Sequence, residues 1–344
     1  MANGFCIVST STSSWYADLV QTELLTFPDL YPRGLSEGIR KSIRTKLFAD
    51  GEMEVEVSQT VRGKDVFLLA GCGRNNHKLS ISEQKMEIYH AVDAIKRGAP
   101  KKIILVEPYM SCARSDRTTR RNSVGFWIHY KTLTGLGVEH LVTYQLHSDK
   151  SKTAVDPTIS LIDDIPGSNI IIDYLSQDSH FNQHSPPIFC SVDAGGETLA
   201  KYYAKACSGD LIIAHKQRSY EKTNHVEHVR ILSDSQLAGK EIWVVDDMID
   251  TAGSLVTLCE ELSKRKVAKI HAVVIHPVFS TPALERLSKL HQAGLLSRLI
   301  VTDTLEITPE IYRFLPFIEV VTTTRRTAEI ILRLYDQESL SPFF

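Results

Sequence analysis

The chain has 344 residues, 43% hydrophobic and 23% charged, enough for one large or two ordinary globular domains and too rich in apolar residues for a short peptide, a collagen or a disordered tail. Its 39 Lys and Arg nearly balance 41 Asp and Glu, for a formal charge of -2. No bulk field therefore draws it to nucleic acid or to an anionic membrane, and an anionic ligand needs a local site.

Six scattered cysteines (Cys6, Cys72, Cys112, Cys190, Cys207 and Cys259) contain no CxxC pair, which argues against structural zinc and against a secreted disulfide framework. The start, MANGFCIVSTSTSSWYADLV, lacks the basic flank and apolar run of a signal peptide. No stretch reaches the roughly 18 apolar residues that span a bilayer. The expectation is a soluble cytoplasmic protein with reduced, mostly packed thiols.

In chain order, short β-branched apolar runs predict strands at 66–70, 102–106, 141–145, 188–192, 210–214, 241–245, 270–275 and 298–301. Helical spacing predicts helices at 82–97, 124–134, 196–206 and 251–264. The alternation gives an α/β fold. A DG step at 50–51 predicts a hairpin turn, with Phe48, Asp50 and Glu52 at alternating positions around it. The segments AIKRGAPKKIILVEP (94–108) and ELSKRKVAKIHAVVIHP (261–277) both run from a helix end through a basic turn into an apolar strand ending in proline. Two halves of one fold would produce this echo, as would any α/β protein. The polar stretch 150–168 is the candidate domain junction, and 176–187 links a helix to the next strand.

The strongest chemical signal is EIWVVDDMIDTAGS (241–254): an apolar strand, two acids, a small-residue loop, then a helix beginning near Ser254. Ligands of parallel sheets bind at the carboxyl ends of strands. Loop amides from Asp250 to Ser254, followed by a helix amino terminus, make a nest for a phosphate dianion, and the Thr251 and Ser254 hydroxyls can donate as well. Small side chains let the backbone approach the phosphate. Asp246 and Asp247 are expected to diverge and to be ionised near solvent. Two carboxylates about 4 Å apart repel by about 1 kcal/mol in water and about 4 at a dielectric of 20, which sugar hydroxyls or Mg2+ would offset. Lys216 and Arg218 follow the strand at 210–214, in a segment that reads as a polar loop from 219 to 228. Arg114, Asp116 and Arg117 fall after the strand at 102–106, and His147 and Asp193 just after strands.

VVDDMIDTAG resembles the phosphoribosyl-diphosphate loop shared by type I phosphoribosyltransferases and ribose-phosphate pyrophosphokinases. FADGEMEVEVSQTVRGKDVFLL (48–69), DAIKRGAPKKIILVEPYMSCARSDR (93–117), LHSD (146–149), SVDAGGETLAKYYA (191–204), IIAHKQR (212–218) and RLYDQESLSPFF (333–344) are similar, in this order, to the pyrophosphokinase family over almost the whole chain. The resemblance implies two similar domains of the type I phosphoribosyltransferase kind, each a mainly parallel sheet flanked by helices: 1–157 with the hairpin, 158–316 with the sugar-phosphate loop, and 317–344 packing back on the first.

It implies transfer of the diphosphate of ATP to the C1 hydroxyl of ribose 5-phosphate, giving phosphoribosyl diphosphate and AMP, by a Mg2+-dependent homo-oligomer built of dimers, a hexamer among the options. Residue by residue, it implies catalysis by Lys216 and Arg218 on a closing loop. It implies ATP binding by Phe48, Asp50, Gly51, Glu52, Arg114, Ser115, Asp116 and Arg117, and metal binding by His147 and Asp193. Ribose 5-phosphate would be held by Asp246, Asp247, Asp250, Thr251, Ala252, Gly253 and Ser254. Some positions depart from the family. Ser115 stands where a glutamine is usual, Gln145 where an acid is common, KSKTAV (150–155) replaces a QIQGFF-like stretch, and VTTTRRTAEI replaces a serine-rich regulatory segment. Two alternatives stay open: a catalytically weak regulatory paralogue, and a phosphoribosyltransferase that consumes phosphoribosyl diphosphate.

Overall fold

The computed structural model describes residues 4–27, 39–73, 79–118, 120–179, 181, 186–218, 227–232 and 236–344. They form two compact units, 1–166 with 323–344, and 167–322.

The first unit begins with β1 (Phe5–Ser9), a run of five buried residues, followed by helix α1 (Ser14–Leu24). A short strand β2 (Arg40–Lys41) precedes the hairpin strands β3 (Ile43–Leu47) and β4 (Met53–Val57), which pair antiparallel as a separate two-stranded sheet. Then come β5 (Asp65–Leu69), helix α2 (Ile81–Arg97), β6 (Lys102–Val106), helix α3 (Gly125–Leu136), β7 (His140–Tyr144) and β8 (Leu161–Ile165). The main sheet runs β2-β1-β5-β6-β7-β8 and is parallel throughout.

Strands covered on both faces read as unbroken apolar runs, which is why DVFLL and KIILV were legible. Asp65, at the start of β5, is buried, with Lys101 at 3.5 Å and Lys102 at 3.7 Å to offset its charge. Helix α2 starts at a capping box: the Glu83 amide donates to Ser80 Oγ (3.3 Å) while the Ser80 amide donates to Glu83 Oε2 (2.6 Å). Its inner face, Ile88, Ala91, Val92 and Ile95, is wholly buried in the core of this unit, and each large side chain there contributes about 1.5–3 kcal/mol.

The second unit starts with helix α4 (Gly167–Gln177) and continues through β9 (Ile188–Ser191), helix α5 (Glu197–Ala206), β10 (Asp210–Arg218), β11 (Glu227–Leu232), β12 (Glu241–Ile249), helix α6 (Gly253–Lys264), β13 (Lys269–Pro277), helix α7 (Ala283–Gln292), β14 (Arg298–Thr302), helix α8 (Pro309–Phe314) and β15 (Ile318–Val321). Its sheet runs β11-β10-β9-β12-β13-β14-β15, parallel except for β11. The two strand orders match from β1-β5-β6-β7-β8 to β9-β12-β13-β14-β15. The sequence echo thus falls at equivalent places, since it joins α2 to β6 in one unit and α6 to β13 in the other.

The last α-helix, α9 (Thr324–Tyr335), belongs to the first unit and lies against α1. Between them is a buried hydroxyl cluster. Tyr16 Oη is 2.8 Å from Thr323 Oγ1 and 2.7 Å from Thr327 Oγ1, and Tyr144 Oη is 2.7 Å from Thr327 Oγ1.

Several expectations need correction. Strand β12 runs to Ile249 and β10 to Arg218, so Asp246, Asp247, Lys216 and Arg218 are strand residues. The ladder to β13 continues through Met248 and Ile249, and that to β11 through Arg218. The expected loop overlaps β11 at 227–228, and its 219–226 portion lies outside the described residues. The polar stretch 150–168 holds a 3-10 turn (Asp149–Ala154) and β8, so the first unit ends later than 157. β8 escaped notice because LIDDI places two acids in a half-exposed edge strand.

Thr327→Val should leave the Tyr16 and Tyr144 hydroxyls short of a buried partner. A loss of about 1–3 kcal/mol is expected in urea unfolding, and an unchanged midpoint would show that the cluster contributes nothing.

Candidate active site

In the second unit, strand order reverses between β9 and β12: the chain moves from β9 to β10 on one side and then crosses to β12 on the other. At such a switch point the loops leaving two adjacent strands diverge and open a crevice at their carboxyl ends. β9 pairs with β12 through Ser191 and Val245, and with β10 through Ser191 and Ile213. Just past this rung stand Asp193, the Asp246–Asp247 pair and, on β10, Lys216 and Arg218. The side chains of Lys216 and Arg218 lie outside what the structure describes.

Asp193 turns the chain into α5. Its Oδ1 accepts the amides of Gly195 (2.8 Å) and Gly196 (3.3 Å). A Cβ on Gly195 would sit 3.1 Å from that oxygen, tighter than ordinary contact, so the turn favours glycine there.

Across the crevice, Asp246 Oδ1 accepts the Asp247 amide at 3.0 Å. Burial, then the Asp247 charge and a hydrogen bond between the two side chains, then the Asp193 charge, hold the Asp246 carboxyl well above its ordinary range. The expectation of two diverging, solvated carboxylates is therefore corrected. Extension of β12 carries the pair into a partly buried position where three acids crowd, and like charges in a poor solvent resist ionising together.

After β12 the chain passes through Asp250 and Thr251 to Ala252, whose φ of 60° is left-handed. A non-glycine residue held there costs about 1–2 kcal/mol, and three contacts hold it. Arg286 Nη1, from α7, donates to the Thr251 carbonyl at 2.9 Å. The Phe279 amide donates to the Ile249 carbonyl at 2.9 Å, and the Val256 amide to the Ala252 carbonyl at 3.0 Å. Ala252 makes no side-chain cap on α6, which opens at Gly253 and Ser254, and the amino end of a helix is a setting in which an anion is welcome. Sequence reasoning missed Arg286. It lies 35 residues beyond Thr251, and nothing local marks it.

In the first unit, the expected nucleotide residues fall on two separate pieces. The hairpin tip closes with the Phe48 amide donating to the Glu52 carbonyl (2.8 Å) and the Gly51 amide to the Phe48 carbonyl (3.0 Å), Gly51 having φ 92°. Asp50 Oδ1 accepts the Glu52 amide at 3.1 Å. The Phe48 ring is 40% exposed, with Lys46 Nζ 4.5 Å from its centre, which leaves an aromatic face available to a planar partner.

Arg114 and Arg117 are exposed on the loop between β6 and α3. Ser115 faces inward: its Oγ accepts the Gly125 amide at 3.0 Å and lies 3.5 Å from the Ser123 carbonyl, so its hydroxyl shapes the loop. His147 is exposed beyond β7, the strand beside β6. Its loop is braced by Asp164, which accepts the Leu146 amide (2.8 Å) and pairs with Lys152 (3.0 Å). The KSKTAV departure thus supplies Lys152, which bridges Asp164 and Asp149.

Residues 6–137 match the family described as N-terminal domain of ribose phosphate pyrophosphokinase, and residues 158–291 match the phosphoribosyl transferase domain. The chain is 33% identical to a ribose-phosphate pyrophosphokinase of Wolinella succinogenes over 300 residues, covering 86% of this chain and 89% of that one. It is 34% identical to a chloroplastic ribose-phosphate pyrophosphokinase 1 of Arabidopsis thaliana over 305 residues, 88% of this chain and 70% of that one. Its fold is similar to a phosphoribosylpyrophosphate synthetase from Mycobacterium smegmatis, with a TM-score of 0.82 at 24% identity, covering 97% and 99% of the two chains.

Because the folded state holds the Asp246 proton more tightly than the unfolded chain does, stability falls as pH rises from the ordinary carboxylate range toward the raised value. Asp246→Asn does not titrate. Its melting temperature should exceed that of the parent near neutrality and converge with it as the pH is lowered, and two parallel curves in differential scanning calorimetry would contradict the crowding.

Proposed function

The chain belongs to the ribose-phosphate pyrophosphokinase family, enzymes that form phosphoribosyl diphosphate, and we propose that this one draws the diphosphate from ATP and releases AMP. The C1 hydroxyl oxygen of ribose 5-phosphate attacks the β-phosphorus, the bond from that phosphorus to the α,β-bridging oxygen breaks, and the hydroxyl proton is lost to solvent. The observation that carries the reading is the switch point of the second unit, where crowded carboxyls lead into the amino end of α6. Vicinal sugar hydroxyls donating to Asp246 and Asp247 would relieve the carboxyl repulsion. The 5-phosphate would take the amides between Asp250 and Ser254.

On this reading little covalent chemistry is asked of the protein, and alignment of the two substrates supplies much of the roughly 7–11 kcal/mol available from positioning. Lys216 and Arg218 stand on β10 beside Asp193, where cations would neutralise charge gathering on the transferred phosphates. The exposed Phe48 face suits adenine, and Arg114 and Arg117 suit the triphosphate oxygens, which a guanidinium grips in a fork.

Among the described residues no three His, Cys, Asp or Glu side chains gather into a metal cage. The acids beside Asp193 nevertheless suit Mg2+, which commonly binds through one or two carboxylates together with substrate phosphates. His147 and Asp193 are the residues by which their respective units would hold it, and when bound it would offset phosphate charge. No helix among the described residues is long and apolar enough to cross a membrane. We place the enzyme in the cytoplasm as a homo-oligomer of dimers.

Purified protein given ATP, Mg2+ and ribose 5-phosphate should release AMP and phosphoribosyl diphosphate in equal amounts, and absence of AMP above background would sink the reading. Lys216→Ala should lower kcat by about 10²-fold or more, the scale of one lost charge-stabilising donor, with ribose 5-phosphate affinity nearly unchanged. Equal losses in both would assign Lys216 to binding.

A further inference from the structure

Beneath the Arg114–Arg117 loop lies a group of polar side chains that the proposed reaction does not use. Glu107 and His129 are both buried and meet at 2.9 Å through Glu107 Oε2 and His129 Nε2. Glu107 Oε1 accepts the Ser111 amide (3.1 Å) and hydroxyl (3.2 Å). Tyr89 Oη lies 2.8 Å from His129 Nδ1, and burial followed by the Glu107 charge pushes its phenol up to about 12. Tyr89 therefore donates to Nδ1, Nε2–H donates to Glu107, and the start of the loop is fixed from below.

On this foundation stands Cys112, half-buried, with a left-handed φ of 72°, a conformation that a residue with a Cβ adopts only when its surroundings impose it. Lys85 Nζ, from α2, is 2.6 Å from Cys112 Sγ. Even N–H···O bonds, between smaller atoms, run about 2.7–3.2 Å, so the nitrogen and sulfur are closer than a sulfur hydrogen bond places them. Two single bonds meeting at a bent oxygen would span such a gap. Cys72 is close enough for the Cys112 charge to act on it, yet it is buried, and burial pushes its thiol upward. It thus stays protonated and is a poor competitor for an oxidised neighbour.

We propose that Cys112 and Lys85 form an oxidation-dependent N–O–S crosslink that ties the Arg114–Arg117 loop to α2. The Cys112 sulfur attacks hydrogen peroxide; an S–O bond forms, the O–O bond breaks, and water leaves a sulfenic acid. A second hydrogen peroxide takes two electrons and two protons, one from the sulfenic O–H and one from the Lys85 amine, and departs as two waters while the N–O bond closes. Two equivalents of a dithiol reverse both steps, returning thiol and amine with one water. The lysine nitrogen, by closing on the oxidised sulfur, takes it out of the path to irreversible acids.

The crosslink stands on geometry alone, while its effect on nucleotide handling rests on the donor-loop reading above. Peroxide-treated protein, digested and mass-analysed, should yield the Lys85 and Cys112 peptides joined, heavier than their sum by one oxygen less two hydrogens, and separated again by dithiothreitol. Cys112→Ser and Lys85→Arg should each abolish the joined peptide. A Cys72–Cys112 disulfide, a sulfinic acid at Cys112 with no joined peptide, or an unmodified Cys112 would each overturn the proposal. In the wild type the joined form should raise the KM for ATP several-fold and leave that for ribose 5-phosphate unchanged, a change Lys85→Arg should not show. A joined peptide with both constants unmoved would uphold the crosslink and overturn its tie to the donor loop.

Discussion

In a parallel sheet every strand ends on the same side, and where the strand order reverses two adjacent loops are driven apart. That constraint organises the second unit. It brings Asp193 beside the Asp246–Asp247 pair, sets β10 with Lys216 and Arg218 on the flank of Asp193, and aims the start of α6 at the same crevice. No one segment supplies the site. β9, β10 and β12 contribute one piece each, and the register of their ladders brings the pieces level.

The same geometry explains how a chain of almost zero net charge is suited to polyanions. Charge is sorted by height along the strands. Lys101 and Lys102 offset Asp65 where β5 begins, and Lys269 offsets Glu241 at 2.9 Å where β12 begins, whereas at the carboxyl end of β12 the Asp246 carboxyl faces the charges of Asp247 and Asp193. The crowding that raises the Asp246 carboxyl and the left-handed Ala252 are costs that a sequence selected for stability alone would shed. They lie six residues apart, one near the end of β12 and one in the loop beyond it, so the fold gives up stability twice at one place.

Much of this was readable in advance. Strands buried on both faces announce themselves, which made β5, β6, β9, β12, β13 and β14 visible, and DDMIDTAGS stood out because consecutive small residues after a strand are what a phosphate nest would need. What escaped was set by partners distant in sequence. LIDDI becomes a strand only because Tyr144 and its neighbours offer an edge, and IEVV because β14 does. Asp246 looks solvated until β12 is known to continue past it. Arg286 and Lys85 act through residues 35 and 27 positions away, and neither has a periodicity or motif to betray it. Lys216 and Arg218 read as loop because HKQR is polar at every position, and only the ladder to β11 shows that the strand continues through them.

The hydroxyl cluster linking Tyr16 to Thr323 and Thr327 bears on how the molecule is made. These partners are 307 and 311 residues apart, and between them the chain supplies an entire second unit that is continuous from 167 to 322. During synthesis the later unit has all of its segments first, whereas the earlier one waits with α1 uncovered until the final helix leaves the ribosome. Order of translation and order of completion are thereby reversed. A stalled or prematurely ended message would release a finished second unit attached to an unfinished first one, with the apolar face of α1 open to chaperones.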